Sequence, residues 1–431
     1  MAKPLECVHS GLDIFESPGL QTAIEHGEYV EYRPLAALDD GPIEFSIKGG
    51  ADYLDLANTF LRVKAKITQA NGDALVDDAA VLPINLLLHT MFSDVSMFLN
   101  GVQVTTPSGA YGYQAYWQTL LSFSPDVKES QLESALYYAD SPKHFDLVTG
   151  NDNKGAKRRR VRAAKSAVMD MMGRLHLDMF HQSKYLLSHM DMRIKLTRAK
   201  PEFVLMTDGV GDNIPDYKLM ITDAGLFVRK VTVSPMIALA HARTLEKANA
   251  IYPLTRTMMR VFSVASGSFA FTADNLFMDK TPNRVIVGFV RGDAYNGHLQ
   301  HNPLMLEHMS LNYISLYHQG SQIPAKGLRP DFAAGEFTRS YMTLFTGTNS
   351  AWSDVTSGIS LLEYANGYTL FCFDLTPSLV HTHAAFEVSK AGPIRLECQF
   401  AEALSHPYVA IVYAETDGHV EITKTREVLV L

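Results

Sequence analysis

Apolar and polar residues alternate along much of this chain. Leu61, Val63, Ala65 and Ile67 are interleaved with Arg62, Lys64, Lys66 and Thr68. Met190, Met192, Ile194 and Leu196 are interleaved with Asp191, Arg193, Lys195 and Thr197, and Ile394, Leu396, Cys398 and Phe400 with Arg395, Glu397 and Gln399. A period of two puts one face of a strand in a core and the other in water, the signature of antiparallel sheets. Asn100-Gly101 separates Val95, Met97 and Leu99 from Val102 and Val104, which predicts a two-residue hairpin because both turn positions tolerate positive φ. Strands are expected in the first half near 43–48, 60–68, 94–99, 102–105, 174–180, 186–189, 190–197 and 217–233.

Helical spacing is rare. Tyr113, Tyr116, Trp117, Leu120 and Leu121 follow the 3.6-residue period of an amphipathic helix. A second short helix is expected over 129–138. Ser234-Pro235 opens a third that runs to about Ala250, with serine at the cap and proline in the first turn.

The chain repeats itself. VSMFLNGVQV around Gly101 returns as ISLYHQGSQI around Gly320, 219 positions later. The helix carrying Trp117 returns with Tyr341 in its place, an offset of 224, and Tyr138-Ala139-Asp140 returns as Tyr364-Ala365-Asn366, an offset of 226. Leu177-Asp178-Met179-Phe180 matches Phe373-Asp374-Leu375-Thr376, Arg193-Ile194 matches Arg395-Leu396, and Gly225 matches Gly418. Six matches keep one order, which two unrelated domains would not be expected to share. Between Asp140 and Asp178 the offset contracts by 30, so the first half carries an insertion there.

Eight strands per half is the jelly-roll number. The expected fold class is all-β: two tandem eight-stranded antiparallel jelly rolls with short helices in the loops. The expected division is an N-terminal arm over 1–42, a first roll over 43–233, a linker helix over 234–250 and a second roll over 251–431.

Composition agrees with a large folded core, at 47% hydrophobic and 19% charged residues over 431 positions. The net charge of -8 argues against nucleic-acid binding over the whole surface, so any such contact must be local. Cys7, Cys372 and Cys398 are too few and too scattered for a disulfide framework or a zinc site, and are expected as free thiols in a reducing compartment. The opening MAKPLECVHSGLDIF does not read as a signal peptide, and no apolar run is long enough to span a membrane.

Candidate chemistry is sparse. His381 and His383 share one face of a strand, and His298, His301 and His308 lie close in sequence, but no carboxylate follows at a regular metal-ligand spacing. Solvated loop histidines are the better account, and no metal or cofactor is expected. Ser266-Gly267-Ser268 reads as a turn rather than a nucleophile elbow, and Gly209-Val210-Gly211 as a surface turn rather than a phosphate loop. Tyr113, Trp117, Phe337 and Tyr341 could form a stacking platform for bases, but their helical spacing makes them core anchors instead. The sharpest charged feature lies in the insertion: Lys154, Lys157, Arg158, Arg159, Arg160, Arg162 and Lys165. The run is a candidate nuclear-import or DNA-contact loop, set against the default of a solvated loop. Since the second half lacks it, the segment is expected to be flexible and dispensable for the fold.

Particular segments carry a family resemblance. GPIEFSIKGG (Gly41 to Gly50), YLDLANTFLRVKAKI (Tyr53 to Ile67) and NLLLHTMFSDVSMFLNG (Asn85 to Gly101) resemble the major capsid protein of Polinton/Maverick elements and adintoviruses. So do GSQIPAKGLRPDF (Gly320 to Phe332), RSYMTLFTGT (Arg339 to Thr348) and YANGYTLFCFDLTPSL (Tyr364 to Leu379). The resemblance runs in order from about Leu12 to the C-terminus. It implies a double jelly roll of the adenovirus–tectivirus type and a homotrimer of pseudo-hexagonal outline, tiling an icosahedral shell around double-stranded DNA. It further implies penton and minor capsid proteins and neighbouring capsomers as partners, packaged DNA at the inner face, and a place in the virion after assembly in the host cell, with the nucleus as a candidate site. No catalytic residue comes with it. A non-viral tandem β-sandwich that binds carbohydrate or metal at its loop ends is the alternative, and would be a monomer.

Overall fold

The computed structural model describes residues 14, 17, 19–38, 41–209, 216–278, 280–377, 386 and 391–431. Cys7, Val210, Gly211, His381 and His383 lie outside the described residues, as does much of the expected N-terminal arm.

The first half contributes β1 (Ile24–Tyr32), β2 (Ile43–Ile47), β3 (Tyr53–Gln69), β4 (Val81–Pro83), β5 (Phe92–Leu99), β6 (Val102–Gln103), β7 (Met169–Gly173), β8 (Met192–Arg198), β9 (Leu205–Thr207) and β10 (Tyr217–Val233). The second contributes β11 (Ala250–Val264), β12 (Ala270–Ala273), β13 (Arg284–Arg291), β14 (Leu311–His318), β15 (Ser321–Leu328), β16 (Leu370–Asp374), β17 (Ile394–Phe400), β18 (Tyr408–Ile422) and β19 (Val428–Val430). In the first half one sheet runs β1-β10-β3-β7 and the facing sheet β2-β8-β5-β6. In the second half the orders are β11-β18-β13-β16 and β12-β17-β14-β15, with β19 added to β18; in the first half β4-β9 forms a separate ribbon. Every pairing among these strands is antiparallel. If the main strands of each half are renumbered one to eight, both halves show the orders 1-8-3-6 and 2-7-4-5. That is the jelly-roll connectivity, and the chain contains it twice.

The repeat is visible at atomic level. The hairpin joining β5 and β6 turns at Asn100 (φ 47°) and Gly101 (φ 85°), and the one joining β14 and β15 at Gln319 (φ 50°) and Gly320 (φ 82°). Two successive left-handed residues make the turn whose twist matches the flanking strands. The helices Tyr111–Ser122 and Thr338–Thr346 follow their hairpins in the same order. The connection from β6 to β7 occupies residues 104–168, against 329–369 between β15 and β16, so the insertion lies where the offsets put it.

Strand positions depart from the sequence reading in the first half. Residues 177–180, expected in a strand, form a 3-10 turn over Asp178–Phe180, and the strand lies upstream at β7. Residues 186–189 make only an isolated bridge, Leu54 with Leu186. The missing strand is β1, inside the stretch expected as an arm. It is an edge strand exposed along most of its length, so the apolar alternation that marks a half-buried strand is absent from its sequence. Residues 129–138 hold only the 3-10 turn Gln131–Ala135, and the linker helix is shorter than expected, Pro235–Thr244.

The two rolls share a core. In β11-β18-β13-β16, Val285, Val287, Phe289 and Val412 face the interior of the second roll. Ile286, Val290, Ile411 and Tyr413, on the opposite face, join the core that contains the first roll. This sheet is buried on both sides, which explains the unbroken apolar runs VIVGFV and YVAIVYA.

Cys372 and Cys398 are free and buried. Burial pushes the Cys372 thiol up to about 12 and Cys398 well above the ordinary range, because a thiolate in apolar surroundings loses its hydration. A thiol reagent should therefore leave both untouched in the folded protein and find three reactive groups per chain in denaturant. A denatured count near one would reveal a disulfide.

Candidate assembly surface and inter-roll seam

The seam between the rolls is built by the helix Tyr111–Ser122 lying on the outer face of the second roll. Tyr113 stacks on Tyr295 at 5.7 Å and 17°. The indole of Trp117 sits against Gly288, where an added Cβ would meet its ring at 2.8 Å, so this position admits no side chain. Gln118 Nε2 donates to Tyr413 OH at 3.2 Å and to Thr257 Oγ1 at 3.4 Å. Asp178 accepts from the Thr257 backbone N–H at 3.3 Å, and burial raises its carboxyl to about 6. The expected core anchors Tyr113, Trp117 and Phe337 are buried, and Tyr341 is half-buried with its hydroxyl donating to Ile359 O at 2.9 Å.

Beside Trp117 the seam leaves a cavity of about 300 Å³, lined also by Gln118, Arg284, Ser350, Tyr413 and Glu415. Arg284 pairs with Glu415 at 3.2 Å. The Trp117 indole N–H is buried with no protein partner.

The basic insertion is not a flexible loop. Residues Lys154–Ala163 form a helix, capped by Asn153 accepting from the Ala156 N–H. Its face of Gly155, Ala156, Arg159 and Ala163 is buried. A Cβ at Gly155 would collide with the backbone of Tyr138 and Ala139. Arg159 is 0% exposed. Its Nε donates to Pro83 O at 2.9 Å, Nη1 to Tyr138 O at 2.7 Å and Nη2 to Asp140 Oδ1 at 2.6 Å. Asp140 also accepts from Asn153 Nδ2 at 2.8 Å and from Asn302 Nδ2, in the second half, at 3.4 Å. The backbone carbonyl of Asp140 accepts from Tyr368 OH, again in the second half, at 2.7 Å. One buried ion pair thus anchors the insertion and ties both rolls together. The expectation of a flexible loop is corrected, and excising 151–165 would remove two members of this network.

The remaining basic side chains do face outward. Lys154, Lys157, Arg158, Arg162 and Lys165 are exposed and Arg160 is half-buried. Arg158 pairs with Glu133 at 3.6 Å and Lys165 with Asp77 at 3.0 Å. Run length alone could not separate Arg159 from its neighbours. The four-residue spacing of Gly155, Arg159 and Ala163 was the available signal, and it needs the helix to be known first.

The histidines are held by structure. His298 and His301 stack at 4.6 Å, with His301 Nδ1 3.3 Å from Asp146 Oδ2. His308 instead stacks on Phe332 at 4.1 Å. Ser266-Gly267 forms the turn between β11 and β12, with Gly267 at φ 78°. Among the described residues no group of three or more His, Cys, Asp or Glu side chains is disposed to hold a metal ion, and no helix is long and apolar enough to cross a membrane.

Exposed apolar residues concentrate in two places that sequence patterning did not mark. The linker helix buries none of its residues, and Met236 is 82% exposed. The connection from β15 to β16 presents Trp352 at 94%, with Val355 and Leu362 also exposed.

No family model matches the chain. An uncharacterised protein of Caenorhabditis elegans is 25% identical over 417 residues, which cover 93% of this chain and 96% of that one. Among solved structures, a chain of the Sputnik virophage particle is 11% identical with a TM-score of 0.66, over 100% of this chain and 93% of that chain. The Faustovirus major capsid protein is 11% identical with a TM-score of 0.59, over 95% and 92%. The mavirus major capsid protein is 10% identical with a TM-score of 0.56, over 100% and 96%. At these identities the likeness is one of fold, and it extends over both jelly rolls.

Proposed function

We propose that this chain is a major capsid protein, a structural subunit without catalytic activity, whose homotrimers tile a viral shell. One observation carries the reading. Two jelly rolls of like topology are welded by a buried apolar seam into one block, and the block as a whole is alike in fold to the Faustovirus and mavirus major capsid proteins. Three such blocks in a closed ring present six similar edges, so a tile of hexagonal outline needs only threefold symmetry.

The finer reading follows the sequence resemblance: a Polinton/Maverick or adintovirus-like capsid protein, in an icosahedral virion around double-stranded DNA, with penton and minor capsid proteins beside it. The proposed division into arm, first roll, linker helix and second roll stands within this reading, with β1 counted in the first roll. The outward cations of the basic helix, without Arg159, are the set for nuclear import or DNA contact.

Light scattering coupled to gel filtration tests the assembly. The expected result is a mass of three chains that persists on dilution, because permanent interfaces of this kind bury about 2,000–5,000 Å². A single-chain mass throughout, or a twofold dimer, returns the tandem binding module to first place.

A further inference from the structure

We infer that the exposed segment around Trp352 is the contact through which the second roll of one copy meets the first roll of the next. The inference rests on the trimeric reading above and specifies its interface. Trp352 is 94% exposed in the single chain, and Val355, at the rim of the seam cavity, and Leu362, further along the same connection, are exposed too. A tryptophan so presented is the side chain that interfaces most often use as an anchor.

The internal duplication says what covers it. Trp117 corresponds to Tyr341 at an offset of 224 and Tyr138 to Tyr364 at 226, so Trp352 falls on residues 126–128 of the first roll. That segment is not free. Lys128 is buried at the seam and its Nζ donates to Ser357 O of the second roll at 2.6 Å. Beside it, Pro125 packs so tightly on Gly358 that a Cβ there would overlap the proline ring.

In a ring of three whose six rolls follow one another by a near-sixfold turn, the relation between the first and second rolls of a chain recurs between its second roll and the first roll of the next copy. The contact of Pro125 and Lys128 with Ser357 and Gly358 then has a counterpart between copies, with Trp352 in the place of Lys128. The same offsets carry 357–358 back to the turn Gln131–Ala135. That turn offers Leu132 as apolar contact. Beside it stands the exposed Arg158 guanidinium, paired with Glu133 and 5.8 Å from the Tyr138 ring centroid, with its outer face open to an indole. One seam is closed within the chain and the other stays open until a second copy arrives. The chain supplies the matching halves of both.

The protein contains two tryptophans, and Trp117 is buried, so acrylamide quenching reads Trp352 directly once the W352S signal is subtracted. Quenching and light scattering are run together on the full chain and on W352S, with circular dichroism confirming the fold. The expected result is a trimer in which Trp352 is quenched several-fold less than a free indole. W352S should need about thirtyfold more protein per interface to assemble, the loss expected of an anchoring side chain. A trimer whose Trp352 quenches like free indole, or a W352S variant that assembles at the wild-type concentration, overturns this contact and leaves the trimer standing. A shielded Trp352 in a single chain overturns it too, because the indole would then occupy the chain's own cavity. A single-chain mass at every loading removes the trimer itself, and this contact with it.

Discussion

Arg159→Ala should lower the unfolding free energy by about 3–5 kcal/mol, the usual cost of breaking a buried ion pair from one side. The guanidinium makes three hydrogen bonds, to Pro83 O, Tyr138 O and Asp140 Oδ1, with no exposure to water. Truncation leaves two carbonyls unpaired and strands the Asp140 carboxylate on the amides of Asn153 and Asn302. The damage should reach the second roll, because Asn302 and Tyr368 both bond to Asp140. Replacing both partners, as Arg159→Met with Asp140→Leu, should cost less than the sum of the single changes, since neither charge is then left alone. Urea unfolding of the singles and the double measures this coupling. A loss below about 1 kcal/mol for Arg159→Ala, the scale of a surface pair, would mean that the pair is open to water.

Acidification should destabilise the first roll before the carboxylates at large are neutralised. His89 and His176 are buried with rings 4.7 Å apart. His89 is 3.1 Å from Tyr111 OH, and His176 Nδ1 is 2.8 Å from Gln118 Oε1. Burial drops His89 to about 3, and burial with the neighbouring His89, His181 and Arg174 puts His176 well below its ordinary value. Both histidines are lower in the folded than in the unfolded chain. Their contribution is therefore complete above about pH 6.5 and is lost as the pH falls toward the folded values, at about 1.4 kcal/mol per pH unit for each. Asp178, raised to about 6, has the opposite sign: it favours the folded state more as the pH falls from 6 to its unfolded value. Two groups that lose stability on acidification outweigh one that gains it, so the net effect of these three between pH 6 and 4 is a loss. His89→Gln should flatten that slope, and Asp178→Asn should steepen it. Urea midpoints at pH 7, 6, 5 and 4 check both signs. A wild-type slope unchanged by His89→Gln would place the acid response in other groups.

Much of the architecture is written in local pattern. The alternation in β3, β8 and β17, the Asn100-Gly101 turn and its echo at Gln319-Gly320 are short-range features that specify strands, hairpins and a duplication. From these alone the all-β class and the tandem jelly rolls follow. What the sequence by itself could not determine depends on partners distant along the chain. β1 is an edge strand with no buried stripe of its own, and only its pairing with β10, about two hundred residues later, makes it a strand. Arg159 looks like six other cations until Asp140, Pro83 and Tyr138 close around it, because burial belongs to the surroundings and not to the residue type. Trp352 and Trp117 are the same amino acid with opposite fates, one under the seam and one in water. Hydrophobicity is a property of each residue, but where it is buried is decided by which surfaces meet, and that only the tertiary structure supplies.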